Sequence, residues 1–183
     1  MVDARTRSPL ADRAADLTTI GAELVPFLAQ VDLRVDPAYA GLAPYPLPAE
    51  PNMAVDDGRR ASLWLGPDEW LVLGPPEAAA AIVAELEAAF AHVDRSVVDV
   101  SANRVAIELT GPGRFDLLAH VCPLDLDPRV WAAGRCAQTL LGRAQVVLQE
   151  RPETTGILVR PSFADYVVDL LLAVHGAVGG VGA

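Results

Sequence analysis

Short apolar segments occur in neighbouring pairs that are followed by a helical pattern, and this order is found twice along the chain. In the first half, RASLWLGPDEWLVLG (residues 60–74) places two apolar segments around Gly-Pro-Asp-Glu, which is typical of a β-hairpin. The segment after it has apolar residues at positions 79, 82, 83, 86 and 90, the spacing of a helix with one buried face. This order favours antiparallel sheets over parallel βαβ winding.

The second half repeats the order. Its predicted strands cover residues 96–101, 103–111, 137–150 and 155–161. The first two of these strands are predicted to pair with each other. One helix is predicted to begin at Thr110 or Gly111, and another to begin at Ser162 and end at Gly176. The sequence therefore predicts an α+β fold of two similar subdomains, each a mostly antiparallel sheet backed by helices.

The boundaries of the subdomains follow from this order. The predicted parts are an N-terminal arm (1–20), a first subdomain (21–93), a second subdomain (94–176) and a flexible tail (177–183). Residues 24–36 end in alternating apolar and charged side chains and are predicted as one half-buried strand. Residues 43–51 contain four prolines, which preclude a helix and favour an extended connecting loop.

The charged residues exclude several classes of function. The net charge is -10, and all fourteen basic residues are arginine, spread along the chain. An acidic chain repels phosphate backbones, so nucleic-acid binding is disfavoured. Without lysine the chain can form no Schiff base, no Ser-Lys dyad and no phosphate-loop lysine.

The apolar residues, 52% of the chain, do not form a membrane span. The segment VVDLLLAV (residues 167–174) is too short to cross a bilayer and contains Asp169. The first residues, MVDARTRSPLADRAAD, lack the apolar stretch of a secretion signal. We therefore expect a cytoplasmic protein without membrane contact, part of whose apolar surface meets a partner protein.

Both cysteines lie in HVCPLDLDPRVWAAGRC, which begins at His120. Structural zinc sites bring ligands together in close pairs, and Cys136 has no companion ligand nearby, so a metal site is disfavoured. Buried free thiols are the favoured interpretation for Cys122 and Cys136. A disulfide between them, or a catalytic cysteine with His92 or His175 as its base, are the alternatives.

Several segments resemble one known family. They are SPLADR, VPFLAQVDLRVDP, LWLGPDEWLVLGPP, VDVSANRVAIELTGPGRFDLLAHVCPLDLDPRVWAAGRCAQTLLGRAQVVL and VRPSFADYVVDLLLAV. In this order, and over nearly the whole chain, they are similar to the γ subunit of heterotetrameric sarcosine oxidase. The segments LGPDEWL and CPLDLDP are the most distinctive of them.

The resemblance implies a fold similar to the folate-binding N-terminal part of the glycine-cleavage T-protein. It implies a complex that oxidatively demethylates sarcosine to glycine, with formation of hydrogen peroxide and methylenetetrahydrofolate. FAD, FMN, NAD, tetrahydrofolate and zinc would belong to the other subunits, and no cofactor to this chain. The implied partners are the α, β and δ subunits, chiefly the large α subunit.

The resemblance also implies that this chain is non-catalytic. The T-protein strand that carries paired aspartates corresponds to LGRAQVVLQ, and no aspartate occurs between Asp127 and Asp165. A structural γ subunit without catalytic, cofactor-binding or metal-binding residues is therefore expected. The alternatives are an independent folate-binding or aminomethyltransferase-like protein that uses Asp99 or Asp125, and an assembly factor for such a flavoenzyme.

A structural subunit needs a surface that binds its partner. Aromatic and arginine side chains usually dominate protein interfaces, so Trp64, Trp70, Trp131 and Arg135 are candidate contacts with the partner subunit. The N-terminal arm, residues 43–51 and the tryptophan hairpin are the candidate contact segments. Burial of the three tryptophans in the core of this chain is an equally strong interpretation.

Overall fold

The computed structural model describes residues 8–179 of the chain, with side chains as far as residue 177. In chain order the elements are α1 (Ala14–Thr19), β1 (Ala22–Val25), β2 (Ala29–Val35), a 3₁₀ helix (Pro37–Leu42), β3 (Ala54–Asp56), β4 (Ala61–Gly66), β5 (Glu69–Gly74), α2 (Ala79–Ala89), β6 (Arg95–Asp99), β7 (Val105–Thr110), α3 (Arg114–Ala119), β8 (Cys136–Leu141), β9 (Ala144–Glu150), β10 (Thr154–Val159) and α4 (Pro161–Gly179). Within residues 8–179 no helix is long and apolar enough to cross a membrane.

The chain forms two compact units. The central unit contains Phe27–Asn103 and Gly134–Ala137, and the terminal unit contains the chain up to Pro26, Arg104–Ala133 and the chain from Gln138 onward. One five-stranded sheet has the order β3-β4-β5-β2-β6, and the other has the order β1-β7-β10-β9-β8. The strand pairs whose registers are known are all antiparallel. The predicted α+β fold of two antiparallel sheets with helices is therefore confirmed.

The core of the central unit lies between its sheet and α2. Val31, Leu33 and Val35 of β2 are buried, whereas Arg34 is exposed, as the alternation in the sequence predicts. The fully or almost fully buried members of this cluster are Ala29, Val31, Leu33, Val35, Trp70, Val72, Ile82, Leu86 and Phe90. The β4–β5 hairpin and α2 were both predicted at these positions, and the structure confirms them.

The core of the terminal unit is built mainly from β7, β9 and β10 together with α4. Helix α4 contacts α1, α3 and β9. Its buried side chains are spaced as one helical stripe and consist of Ala164, Val167, Val168 and Leu171. Buried residues of the three strands include Ile107, Leu109, Leu148, Ile157 and Val159.

The two units do not follow the predicted boundaries at residues 21–93 and 94–176. The predicted strand 24–36 is divided into β1 and β2, because Pro26 has no backbone N–H to donate and Phe27 has a φ of 55°. Strand β1 pairs with β7, in the sheet of the terminal unit. The predicted pairing of residues 96–101 with 103–111 is wrong, because β6 pairs with β2 while β7 pairs with β1 and β10.

Turn positions account for two further differences. The predicted strand 137–150 is two strands, β8 and β9, because the chain turns at Gly142, which has a φ of 56°. An added Cβ at Gly142 would lie 2.4 Å from the Tyr166 hydroxyl, so a larger residue at this turn would displace the Tyr166 side chain. Helix α3 begins after Gly113 rather than at Thr110 or Gly111.

Residues 8–20 and 177–179 are more ordered than predicted. Within the predicted arm 1–20, residues 14–19 form α1, and Leu10 and Leu17 are buried, so residues 8–20 pack on the terminal unit. Residues 1–7 lie outside the described residues. Helix α4 continues past its predicted end at Gly176 to Gly179, and the remainder of the predicted tail lies outside the described residues. Residues 43–51 contain no helix or strand, as predicted.

Candidate functional site

The two cysteines are free and buried in the structure. The single S–H of Cys136 has two carbonyl oxygens within reach, that of Met53 at 3.1 Å and that of Trp64 at 3.5 Å from the sulfur. Burial raises the pKa of Cys136 to about 11, so the sulfur is a neutral thiol near pH 7. The Cys122 sulfur lies 3.8 Å from the Thr139 hydroxyl. The favoured interpretation of both residues as buried free thiols is therefore confirmed.

Cys136 is predicted to be chemically unreactive while the chain is folded. Since only the thiolate attacks alkylating reagents, iodoacetamide at pH 8 should leave Cys136 unmodified in native protein. The same treatment in concentrated urea should modify it completely. Peptide mass spectrometry of both samples measures the two fractions, with complete modification in urea as the control for reagent quality. Rapid modification of Cys136 in native protein would contradict the prediction and support the alternative that Cys136 is a nucleophile.

The other polar residues of the segment HVCPLDLDPRVWAAGRC have local roles. The His120 Nδ1–H donates to the Asp116 carbonyl oxygen at 2.7 Å, one helical turn earlier. Asp125 accepts from the Asp127 backbone N–H at 3.0 Å. Asp127 accepts from the Arg129 backbone N–H and guanidinium, both at 2.9 Å, and this contact lowers the pKa of its carboxyl. Among residues 8–179 no group of three or more His, Cys, Asp or Glu side chains could hold a metal ion.

Asp99, the other carboxylate weighed for folate chemistry, also closes a turn. It accepts from the Ser101 backbone N–H at 2.9 Å and from the Ser101 hydroxyl at 2.6 Å. The Ser101 hydroxyl in turn accepts from the Gln30 backbone N–H at 3.0 Å, which ties this turn to β2. Asp99 therefore serves the backbone at the end of β6 in the way that aspartate commonly does at turns.

Two of the four candidate contact residues are buried inside the chain. Trp70 is 1% exposed, and its indole N–H donates to the Pro48 carbonyl oxygen at 2.8 Å. Trp131 is 6% exposed, and its indole N–H donates to the Glu150 carboxylate at 3.0 Å. Buried tryptophans commonly find such a partner for the N–H. Neither side chain lies at the surface of the chain, so the core interpretation applies to both.

The other two candidates are half-buried in the central unit. Trp64 stands opposite Trp70 in the β4–β5 ladder and packs against the same core cluster. Arg135 forms a backbone bridge with Met53, and its guanidinium donates to the Met53 sulfur at 3.6 Å. The four residues therefore do not form one exposed patch. Trp64 and Arg135 keep partial exposure and remain candidates for contact with a partner.

The sequence interpretation missed the most exposed large apolar side chain. Phe27 is 56% exposed and has a φ of 55°, which is rare for an aromatic residue. On the 3₁₀ helix, Tyr39 is 44% and Leu42 is 52% exposed, and that helix has no buried residue. Pro26, directly before Phe27, marks a break in the chain, whereas the prediction of one strand over residues 24–36 ignores it.

A buried ion pair in the terminal unit was also missed. The Arg114 guanidinium donates to Glu150 at 2.8 Å and to the Thr155 hydroxyl at 3.2 Å. Thr155 donates to the other carboxylate oxygen of Glu150 at 2.6 Å. With the Trp131 N–H, three side chains donate to one carboxylate that is 2% exposed. Both oxygens of this buried carboxylate accept hydrogen bonds within the chain, as buried polar groups commonly do in a structural network.

The matching family model and the related sequences indicate the same family. The model of the sarcosine oxidase, gamma subunit family matches residues 34–176. The sarcosine oxidase subunit gamma of Arthrobacter sp. is 33% identical over 180 residues, which cover 91% of this chain and 88% of the relative. That of Corynebacterium sp. (strain U-96) is 35% identical over 156 residues, covering 81% and 75%.

Solved structures agree with the sequence comparison. A chain of the heterotetrameric sarcosine oxidase from Corynebacterium sp. U-96, in complex with pyrrole 2-carboxylate, superposes with a TM-score of 0.85 at 31% identity. The superposition covers 93% of this chain and 95% of that chain. The glycine cleavage system aminomethyltransferase T from Bartonella henselae has a TM-score of 0.62 at 14% identity, covering 87% of this chain and 48% of that chain, which shows a shared fold. From the family match and the relatives at more than 30% identity, this chain belongs to the sarcosine oxidase γ subunit family.

Proposed function

We propose that the chain is the non-catalytic structural γ subunit of a cytoplasmic heterotetrameric sarcosine oxidase. The complex oxidatively demethylates sarcosine to glycine, with formation of hydrogen peroxide and methylenetetrahydrofolate. The observation that carries the proposal is the superposition on a chain of the U-96 enzyme over 93% of this chain, at a TM-score of 0.85. An almost complete match of this kind leaves little of the chain for a separate function.

The side-chain chemistry supports a structural role. The Cys136 thiol is buried with a raised pKa, and the Asp99 and Asp125 carboxylates accept hydrogen bonds from turns. Both carboxylate oxygens of Glu150 accept hydrogen bonds inside the terminal unit. In this proposal FAD, FMN, NAD, tetrahydrofolate and zinc belong to the α, β and δ subunits. The large α subunit is the principal partner.

Exposed apolar side chains in the central unit are the proposed contacts. Phe27, Tyr39 and Leu42 are each more than two-fifths exposed in the chain alone. Burial of apolar side chains that are exposed in the free subunit supplies much of the free energy of association. Phe27 also has a positive φ. For a non-glycine residue this backbone conformation is mildly strained, and such strain is found more often at functional positions than elsewhere.

Co-expression tests the proposal. The chain is produced with and without its candidate α, β and δ partners, and the mass, flavin content and sarcosine-dependent peroxide production of the purified material are measured. We expect a complex of fixed stoichiometry that contains flavin and is active, and an isolated chain that is colourless and inactive. A complex that is active without this chain would indicate an assembly factor. An isolated chain that ignores these partners and binds tetrahydrofolate tightly would support an independent folate-binding protein.

The variant Phe27→Asn tests whether Phe27 contributes to assembly with the partner subunits without lowering the stability of the isolated chain. Asparagine tolerates positive φ, so the isolated variant should be at least as stable as the wild type in thermal unfolding. Loss of the exposed ring should weaken co-purification with the partner subunits by about tenfold. Phe27→Tyr keeps the ring and is the matched control, which should assemble normally. If Phe27→Asn assembles like the wild type, Phe27 is not an interface residue, and the proposal that the chain is a γ subunit is unaffected.

A further inference from the structure

A cleft with two arginines lies at one end of the sheet of the terminal unit. Its volume is about 360 Å³, within the usual range of sites for small ligands. The residues that line it are Arg104, Gln138, Thr139, Leu140, Gln145, Val146, Val147 and Arg160. All of them belong to the terminal unit.

The sheet register brings the polar residues of this cleft together. Val105 of β7 pairs with Val159 of β10, and Val159 pairs with Val146 of β9. Arg104, Arg160 and Gln145 each stand one residue beyond these valines, at the same end of three adjacent strands. Because side chains alternate between the faces of a sheet, the three point to the same face.

The groups that line the cleft match one kind of ligand. Two guanidiniums, two carboxamides and one hydroxyl line it, and none of its lining residues is acidic, although the chain carries 24 carboxylate residues and a net charge of -10. The planar fork of a guanidinium matches a carboxylate through two parallel hydrogen bonds. Leu140 and Val147, which stands two residues from Gln145 on the same face of β9, supply apolar surface beside these donors.

The residues of the cleft are positioned by the paired ends of β7, β9 and β10. Arg104, Gln138 and Arg160 each also take part in an interaction within the chain. The Arg160 carbonyl oxygen also accepts from the Phe163 backbone N–H at 2.9 Å, which fixes this residue at the start of α4. A site on fixed strand ends needs little reorganisation to bind.

We propose that this cleft binds a single carboxylate group carried on a short apolar stem, with Arg104 and Arg160 holding the carboxylate and Leu140 contacting the stem. A glutamate or aspartate side chain of a partner subunit and a free small carboxylic acid share this chemistry. The proposal concerns the chain by itself and does not depend on the proposed function.

Titration of the isolated full-length chain tests the site. Propionate is the probe, propionamide is the neutral control of the same shape, and inorganic phosphate is the competing anion, all at constant ionic strength. Isothermal titration calorimetry should show saturable binding of propionate and none of propionamide. Arg104→Gln and Arg160→Gln should each raise the dissociation constant for propionate about tenfold. Arg59→Gln, which changes an arginine of the central unit, should leave it unchanged.

The outcomes separate the site from its alternatives. Should either arginine variant fail to fold, Gln145→Leu removes a polar donor from the exposed end of β9 and should also weaken propionate binding. No saturable propionate binding, equal binding of propionamide, or binding unchanged in the arginine variants would overturn the proposal. Tighter binding of phosphate than of propionate would overturn the assignment to a carboxylate.

The assembled complex distinguishes the two sources of the carboxylate. If a partner side chain fills the cleft, the purified complex will not bind propionate there, and the double variant Arg104→Gln/Arg160→Gln will co-purify less with its partners. If a free acid fills it, the wild-type complex will bind propionate as the isolated chain does, and the complex that carries the double variant will not.

Discussion

Trp70→Ala is expected to lower the free energy of unfolding of the isolated chain by about 3–5 kcal/mol. The side chain is 1% exposed and packs in one cluster with β2 and α2. Its removal leaves a cavity in this cluster and also leaves the Pro48 carbonyl oxygen without the indole donor. Urea denaturation of the isolated chain, followed by circular dichroism, measures the change.

Two further variants show which part of the indole matters. Trp70→Phe keeps most of the packing and loses the N–H donor, so we expect a smaller loss of about 1–2 kcal/mol. Leu42→Ala changes an exposed apolar residue of the same unit, and its effect should stay within about 0.5 kcal/mol. If the isolated Trp70→Ala chain is as stable as the wild type but fails to assemble, Trp70 is an interface residue after all.

The local elements of the fold could be predicted from sequence because their signals are local. The β4–β5 hairpin has its turn at Pro67 and Asp68, between two apolar arms, and Trp64 pairs with Trp70 across those arms. Helix α2 follows from the spacing of its apolar residues. Each of these patterns is complete within about fifteen residues, so no distant partner is needed to interpret it.

The division into two units could not be predicted in the same way. Strand β1 pairs with β7, more than eighty residues later in the chain, and β2 pairs with β6, sixty or more residues later. Periodicity indicates that a segment is a strand and which face it buries, but does not identify its partner. The prediction paired the neighbouring segments 96–101 and 103–111, which is the commoner arrangement and here the wrong one.

The sequence also could not show which of the candidate contact residues are buried inside the chain. Tryptophan is enriched both in cores and at interfaces, so residue type alone does not separate Trp70 and Trp131 from an exposed anchor. What separates them is the position of their acceptors, Pro48 and Glu150, which the fold brings close. Family membership, by contrast, depends on the order of whole segments, and for this reason the predicted family is confirmed.

Glu150→Leu is expected to destabilise the isolated chain by about 3–5 kcal/mol, because it leaves a buried guanidinium without its carboxylate. Arg114 is 9% and Glu150 is 2% exposed, so water cannot replace the lost contact fully. The Trp131 and Thr155 donors lose the same acceptor. The free energy of unfolding from urea denaturation is again the measurement. Arg129→Ala breaks a solvent-exposed pair with Asp127 and should leave the denaturation midpoint unchanged.

The double variant Arg114→Met/Glu150→Leu identifies the cause of that loss. When both charges are replaced by apolar side chains of similar volume, no uncompensated charge stays buried, so most of the stability lost in Glu150→Leu should return. A double variant no more stable than Glu150→Leu would mean that the packing around Trp131 and Thr155, rather than the unpaired Arg114 charge, determines the loss. Recovery of stability in the double variant would instead show that the unpaired charge of Arg114 causes the loss in Glu150→Leu.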